Sequence, residues 1–164
     1  MNNDSLVSTL DESMKRSGLL FSGVNQALND STASHNFNDG ILTAYEISKL
    51  DLRGCDLVVL SACETALGDI YTAEGVYGLQ RGFKLAGANS ILMSLWKVDD
   101  AATRMLMTEF YRNLLNGMSK RESLLKAQDA VRNFRGVING EIRSFSNPRY
   151  WAGFVLLDGI EPEK

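Results

Sequence analysis

Asp56-Leu57-Val58-Val59-Leu60-Ser61-Ala62 is the stretch that decides the fold class of this 164-residue chain. Its valines and leucines run continuously instead of alternating with polar residues. A strand with no polar side implies burial on both faces, as in a parallel sheet. Cys63 stands at the C-terminal end of that strand. A loop containing Gly68-Asp69 leads into a helix from near Glu74, and residues 90–96 (SILMSLW) read as the next buried strand. Strand, helix and strand in that order form a crossover, which puts both strand ends on the same edge of the sheet.

The helix between them carries Gly75, Gly78 and Gly82 beside a stripe of Val76, Leu79, Phe83 and Ala86. Each interior glycine costs about 0.5–1 kcal/mol relative to alanine, so three of them predict a helix lying unusually close to the sheet. Upstream, Leu19-Leu20-Phe21 suits a strand end, and Thr43 with Glu46 forms a capping box that opens a short helix over residues 44–50. Downstream, Asp99 or Asp100 caps a long helix over residues 101–116, stopped by Gly117. Ser119 and Glu122 open another helix reaching about residue 135, with Leu124, Ala127, Val131 and Phe134 on one face. Phe154-Val155-Leu156-Leu157 supplies a last strand. The order predicts an α/β fold with a largely parallel sheet. The expected organisation is a polar arm over 1–16, one domain over 17–159 with a polar Asn/Asp/Ser loop at 25–40, and a tail over 160–164.

Composition excludes several classes. With 17 Lys and Arg against 20 Asp and Glu, the net charge of -3 argues against nucleic acid as a partner. No apolar run approaches the ~18 residues of a membrane span, and the polar start lacks a secretory h-region, so a cytoplasmic location is expected. Two cysteines and one histidine are too few for a Cys/His zinc site or a disulfide framework. No glycine-rich phosphate loop is present.

Binding crevices in parallel sheets form beyond the carboxyl ends of the strands. Two segments end there, Ser61-Ala62-Cys63-Glu64-Thr65 and Trp96-Lys97-Val98-Asp99-Asp100. Cys63 at such a point faces a crevice, although free cysteine is also among the most buried residue types. Asp99 and Asp100 offer carboxylates to a basic side chain, but capping accounts for one of them. Trp96 is a groove wall or simple core. Cys55 reads as structural.

The segment DLVVLSACETALGD, Asp56 to Asp69, resembles the nucleophile motif of CHAT-domain peptidases, caspase-like cysteine proteases of clan CD often fused to tetratricopeptide repeats. The resemblance continues in family order through SGLLFSG (17–23), GILTAYEI (40–47), EGVYGL (74–79), AGA (86–88), SLWKVDD (94–100) and PRYWAGF (148–154). It implies a caspase-like, mainly parallel sheet flanked by helices, and Cys63 as the nucleophile that forms an acyl-enzyme. It further implies that Ser61 lines the pocket for the residue before the cleaved bond, the alternative being a small strand residue that faces a helix. Protein or peptide substrates and an attached helical-repeat domain follow as partners; no metal or organic cofactor does.

The family pairs its cysteine with a histidine followed by glycine, in an ATHG-like motif at an earlier strand end. That motif is absent here, and the single His35 is followed by Asn36 inside the polar loop. An unperturbed thiol with a pKa of ~8.5 is only slightly ionised near neutrality. A positioned acid–base group typically contributes ~10²–10⁴-fold. The expectation is therefore the C-terminal part of a caspase-like domain, incomplete at its N-terminal side and inactive alone. The alternatives are a non-catalytic pseudo-peptidase that binds a partner and, more weakly, a redox-reactive cysteine on a plain α/β scaffold.

Overall fold

The structure, a computed structural model, describes residues 14–21, 40–61 and 72–158, with side chains from residue 77 onward in the last segment. The chain divides into two compact units, Met1–Val58 with Glu64–Asn89, and Val59–Cys63 with Ser90–Lys164. Elements of both kinds occur throughout, and the fold class is mixed α/β.

In the first unit, β1 (Gly18–Leu20) pairs antiparallel with β2 (Ile41–Thr43). The chain turns directly into α1 (Ala44–Ile47) through the capping box expected there: Glu46 N–H donates to Thr43 Oγ1 at 3.2 Å, and Thr43 N–H donates to Glu46 Oε2 at 2.8 Å. Each bond satisfies a donor that a helix start leaves open. Ala44 and Ile47 are fully buried. α2 (Thr72–Leu85) follows, with Leu79 and Phe83 buried. A Cβ on Gly82 would stand 2.5 Å from the Ala44 carbonyl oxygen. The close approach expected against the sheet is, at Gly82, an approach to the first turn of α1. Backbone meets backbone there, and no side chain fits between.

The second unit holds β4 (Ser90–Ser94) at the middle of a three-stranded order, β3 (Leu57–Leu60), β4, β7 (Phe154–Leu157). All five residues of β4 are buried, whereas all four of β3 are half-buried. Both strands read as buried from the sequence; β4 is so at every position, and β3 is only half-buried. The reason is position, since among the described residues β3 is an edge of this sheet and β4 is flanked on both sides. β4 and β7 pair antiparallel, Ile91 opposite Leu157 and Ser94 opposite Phe154. The three pairings with a described register are all antiparallel, so the mainly parallel expectation finds no support in them. β7 closes the chain after two helices and a hairpin and returns beside β4 in the opposite sense.

Between β4 and β7 run α3 (Asp100–Leu115) and α4 (Lys120–Arg132). Leu106 and Phe110 on one helix and Ala127 and Val131 on the other are fully buried. Gly117, at φ +84°, takes the left-handed conformation that ends α3. α4 stops three residues short of its expected end, because Arg135–Ile138 forms β5, which pairs antiparallel with β6 (Glu141–Ser144). The loop between them is Asn139-Gly140, with φ 52° and 83°. Positive φ at both central residues is the type I′ requirement that Asn-Gly meets. A last turn of helix, α5 (Pro148–Trp151), is capped by Asn147, whose Oδ1 accepts from Arg149 N–H at 3.0 Å. No helix among the described residues is long and apolar enough to cross a membrane.

Candidate functional site

Ser61 follows β3 directly and is exposed. Cys63 and His35 lie outside the described residues. The described part of the site is therefore the segment leaving β4, Leu95 to Asp100, and the groups that hold it.

Leu95 N–H donates to the Gly153 carbonyl at 2.8 Å, which extends the β4–β7 ladder by one bond. Trp96 Nε1–H donates to the Arg149 carbonyl in α5 at 3.1 Å, and the residue remains 40% exposed. One edge of the indole is thus fixed while part of the ring meets solvent. A Cβ on Gly153 would stand 2.7 Å from Val98 Cγ1 and 3.1 Å from Trp96 Nε1. Glycine at 153 is what lets the indole and Val98 lie on the backbone before β7. Trp96 is neither core nor a free wall. It is a pinned ring with an open part.

Asp99 is the N-cap of α3, its Oδ1 accepting from Ala101 N–H and Ala102 N–H at 3.0 Å each. Its Oδ2 accepts from Arg143 Nη2 at 2.8 Å. Burial raises the Asp99 pKa, but the Ala102 N–H, the Arg143 charge and hydrogen bond and the Ala101 N–H outweigh it. The carboxyl is held below the usual aspartate range. Asp100 is exposed and begins the helix proper. Capping, expected of one of the two aspartates, falls to Asp99. Arg143 is not singled out by the sequence reading, and Arg149 and Gly153 enter it only as part of a motif block. Arg143 sits on β6, so only recognition of the Asn139-Gly140 turn would have drawn attention to it.

Among the described residues no group of three or more His, Cys, Asp and Glu side chains could hold a metal ion. Cys55 is half-buried and in no disulfide, with its Sγ 3.6 Å from the Leu57 carbonyl oxygen. Chemically, the β4 end offers a partly open aromatic ring, an exposed carboxylate at Asp100 and a capped helix start.

The comparisons with known proteins agree on one family. The family model described as the CHAT domain matches residues 7–159. Tetratricopeptide repeat protein 28 of Mus musculus is 41% identical over 118 residues, 71% of this chain and 4% of that protein. Its namesake in Homo sapiens is 38% identical over 117 residues, again 71% of this chain and 4% of that protein. The chain thus matches a small part of the length of these relatives. No solved structure matches it.

Proposed function

The chain belongs to the CHAT domain family, and from that premise we propose that it carries the nucleophile-bearing part of a caspase-like cysteine endopeptidase of clan CD. In this reading the Cys63 thiolate attacks a peptide carbonyl and expels the amine, and water then hydrolyses the thioester. The supporting observation is the placement of the motif. Ser61-Ala62-Cys63 follows β3, and β3 neighbours β4, whose end carries Trp96 and the aspartates. The two neighbouring strands are joined through α2, a connection of the kind parallel pairs need, which supports a caspase-like sheet. Ser61, Trp96 and Asp100 face the substrate. Asp99, tied to Arg143, contributes to substrate binding chiefly by holding the β4 end in place. The relatives are named as tetratricopeptide repeat proteins, which supports an attached helical-repeat domain as the natural partner.

A second reading, the pseudo-peptidase, is favoured by one observation: the chain's sole histidine, His35, precedes Asn36 where the family has glycine. One experiment separates the two. The purified chain and its Cys63→Ala variant are incubated with a peptide library, alone and mixed with an ATHG-bearing segment of a relative. The expected result is alkylation of Cys63 by iodoacetamide, no turnover alone, and cleavage on mixing that Cys63→Ala abolishes. Alkylation without cleavage in any mixture would assign the chain to the non-catalytic reading. Cleavage that survives Cys63→Ala would overturn the nucleophile assignment.

A further inference from the structure

A groove of about 320 Å³ lies in the second unit between α3 and β5, and none of the residues assigned above lines it. Its apolar surface comes from Ala101 and Met105 on the helix and from Phe134 and Ile138 at the two ends of β5. Arg104, Thr108 and Glu109 complete it. The polar members are unequal. Thr108 Oγ1 donates to the Arg104 carbonyl at 2.7 Å, and Glu109 is ion-paired with Arg112. The Arg104 guanidinium is exposed and has no ion-pair partner among the described residues.

Among the described residues β5 pairs with β6 alone, which leaves its other edge without a strand. The closing pair of a two-residue hairpin, here Ile138 and Glu141, exchanges both ladder bonds, so the next pair, Val137 and Ile142, points its N–H and C=O groups outward. The Phe145 N–H bond to the Phe134 carbonyl at 3.2 Å keeps this phase, four residues before Ile138. Phe134, just before β5, and Ile138, its last residue, line the groove and no residue of β6 does, so the groove lies on the β5 side of the ribbon. Val137 itself is 68% exposed.

The geometry points to a peptide-docking site at β5 in which an extended segment adds as a third strand, inserts a bulky apolar side chain against Met105, Phe134 and Ile138, and places a carboxylate on Arg104. An extended chain is the occupant because it alone uses all three features: the outward N–H and C=O of Val137, an apolar slot beside them, and an uncommitted cation. Alternate side chains of a strand share one face. An acidic residue two positions from the apolar anchor therefore faces the same groove, and main-chain pairing supplies affinity while the slot and the charge supply selectivity. This site is independent of Cys63.

The test uses the full chain carrying Cys63→Ala, so that its outcome does not depend on the peptidase reading. The probe is a fluorescein-labelled decapeptide with a central Glu-Thr-Phe-Thr-Glu, read by fluorescence anisotropy. Saturable binding is expected, weakened about tenfold by Arg104→Glu and likewise by Lys in place of both probe glutamates. Val137→Pro should abolish binding, because it removes an outward N–H. Ile142→Pro, with the same change on the far edge, should leave it intact. Circular dichroism checks each variant's fold, and a probe N-methylated on alternate amides tests the strand pairing without altering the protein. No saturation up to about 1 mM would overturn the proposal. So would indifference to charge reversal, equal binding by the two proline variants or full binding of the N-methylated probe. Equal affinity for phenylpropionate would show that the groove takes an organic carboxylate and no strand.

Discussion

β3 and β4 read almost alike as sequence, LVVL and SILMS, yet the first is half-buried at every position and the second buried at every position. A continuous apolar run states only that neither face is surrendered to water. It does not state how many neighbours the strand has. β4 lies between β3 and β7, while β3 has one strand neighbour among the described residues. The difference continues past the strand ends. Beyond β4, Trp96 and Asp99 are each tied to a later element, Arg149 in α5 and Arg143 in β6. Beyond β3, Ser61 is exposed.

The largest effect that could break this comparison is on stability. Leu92→Ala removes a side chain with no exposed surface at the centre of β4 and should cost about 2–5 kcal/mol in urea unfolding. Val59→Ala in half-buried β3 should cost about 1 kcal/mol, since less apolar area leaves water there. Equal costs would mean that β3 is as central as β4 in solution.

An intermediate effect sharpens the account of the pinned β4 end. Gly153→Ala places a methyl group 2.7 Å from Val98 Cγ1 and against the Trp96 indole, in a spot with no room for it. Overpacking of this kind costs about 1–3 kcal/mol. The indole should also leave the Arg149 carbonyl, seen as a red-shifted and more readily quenched Trp96 emission in a Trp151→Phe background. An unchanged spectrum would show that Gly153 does not position the ring.

The parts of this arrangement legible in the sequence were the local ones. Thr43 with Glu46 and Ser119 with Glu122 are four-residue patterns whose bonds form within one helical turn, and both capping boxes are present. Strand order is not local: both runs read as buried strands, and only their places in the sheet, β4 between two neighbours and β3 beside one among the described residues, separate them. The glycines of α2 announced a close approach, but its partner, Ala44, stands nearly forty residues before Gly82, and no pattern in α2 names it. Asn139-Gly140 was the opposite case. It is a strong local turn signal, but the strands it joins are four residues each and too exposed, Ile142 at 89%, to carry an apolar pattern that would mark them. With the hairpin went Arg143, and with Arg143 the reason Asp99 is held so firmly.

That last contact gives the smallest expected effect and the most specific one. Asp99→Asn keeps a good N-cap, because an amide oxygen accepts from Ala101 and Ala102 as a carboxylate does. It loses the ion pair with Arg143, whose partners are 34% and 28% exposed, so the cost at neutral pH should be about 0.5–1 kcal/mol. The sign of the pH dependence follows from the Asp99 pKa, which is lowered in the folded state. Its contribution is present above the unfolded value of about 3.9 and is lost as pH falls through the lower, folded value. The stability gap between the native chain and Asp99→Asn should therefore hold from pH 7 to about 5 and close on further acidification. Arg143→Met should bring the loss to higher pH, because it removes the charge that favours the ionised carboxyl. Urea unfolding at stepped pH measures both. A gap that persisted in acid would have to come from the cap or from packing, and Asp99 would then owe nothing to charge. The β4 end would lose its electrostatic anchor, and the contrast with exposed Ser61 after β3 would rest on Trp96 and Gly153 alone.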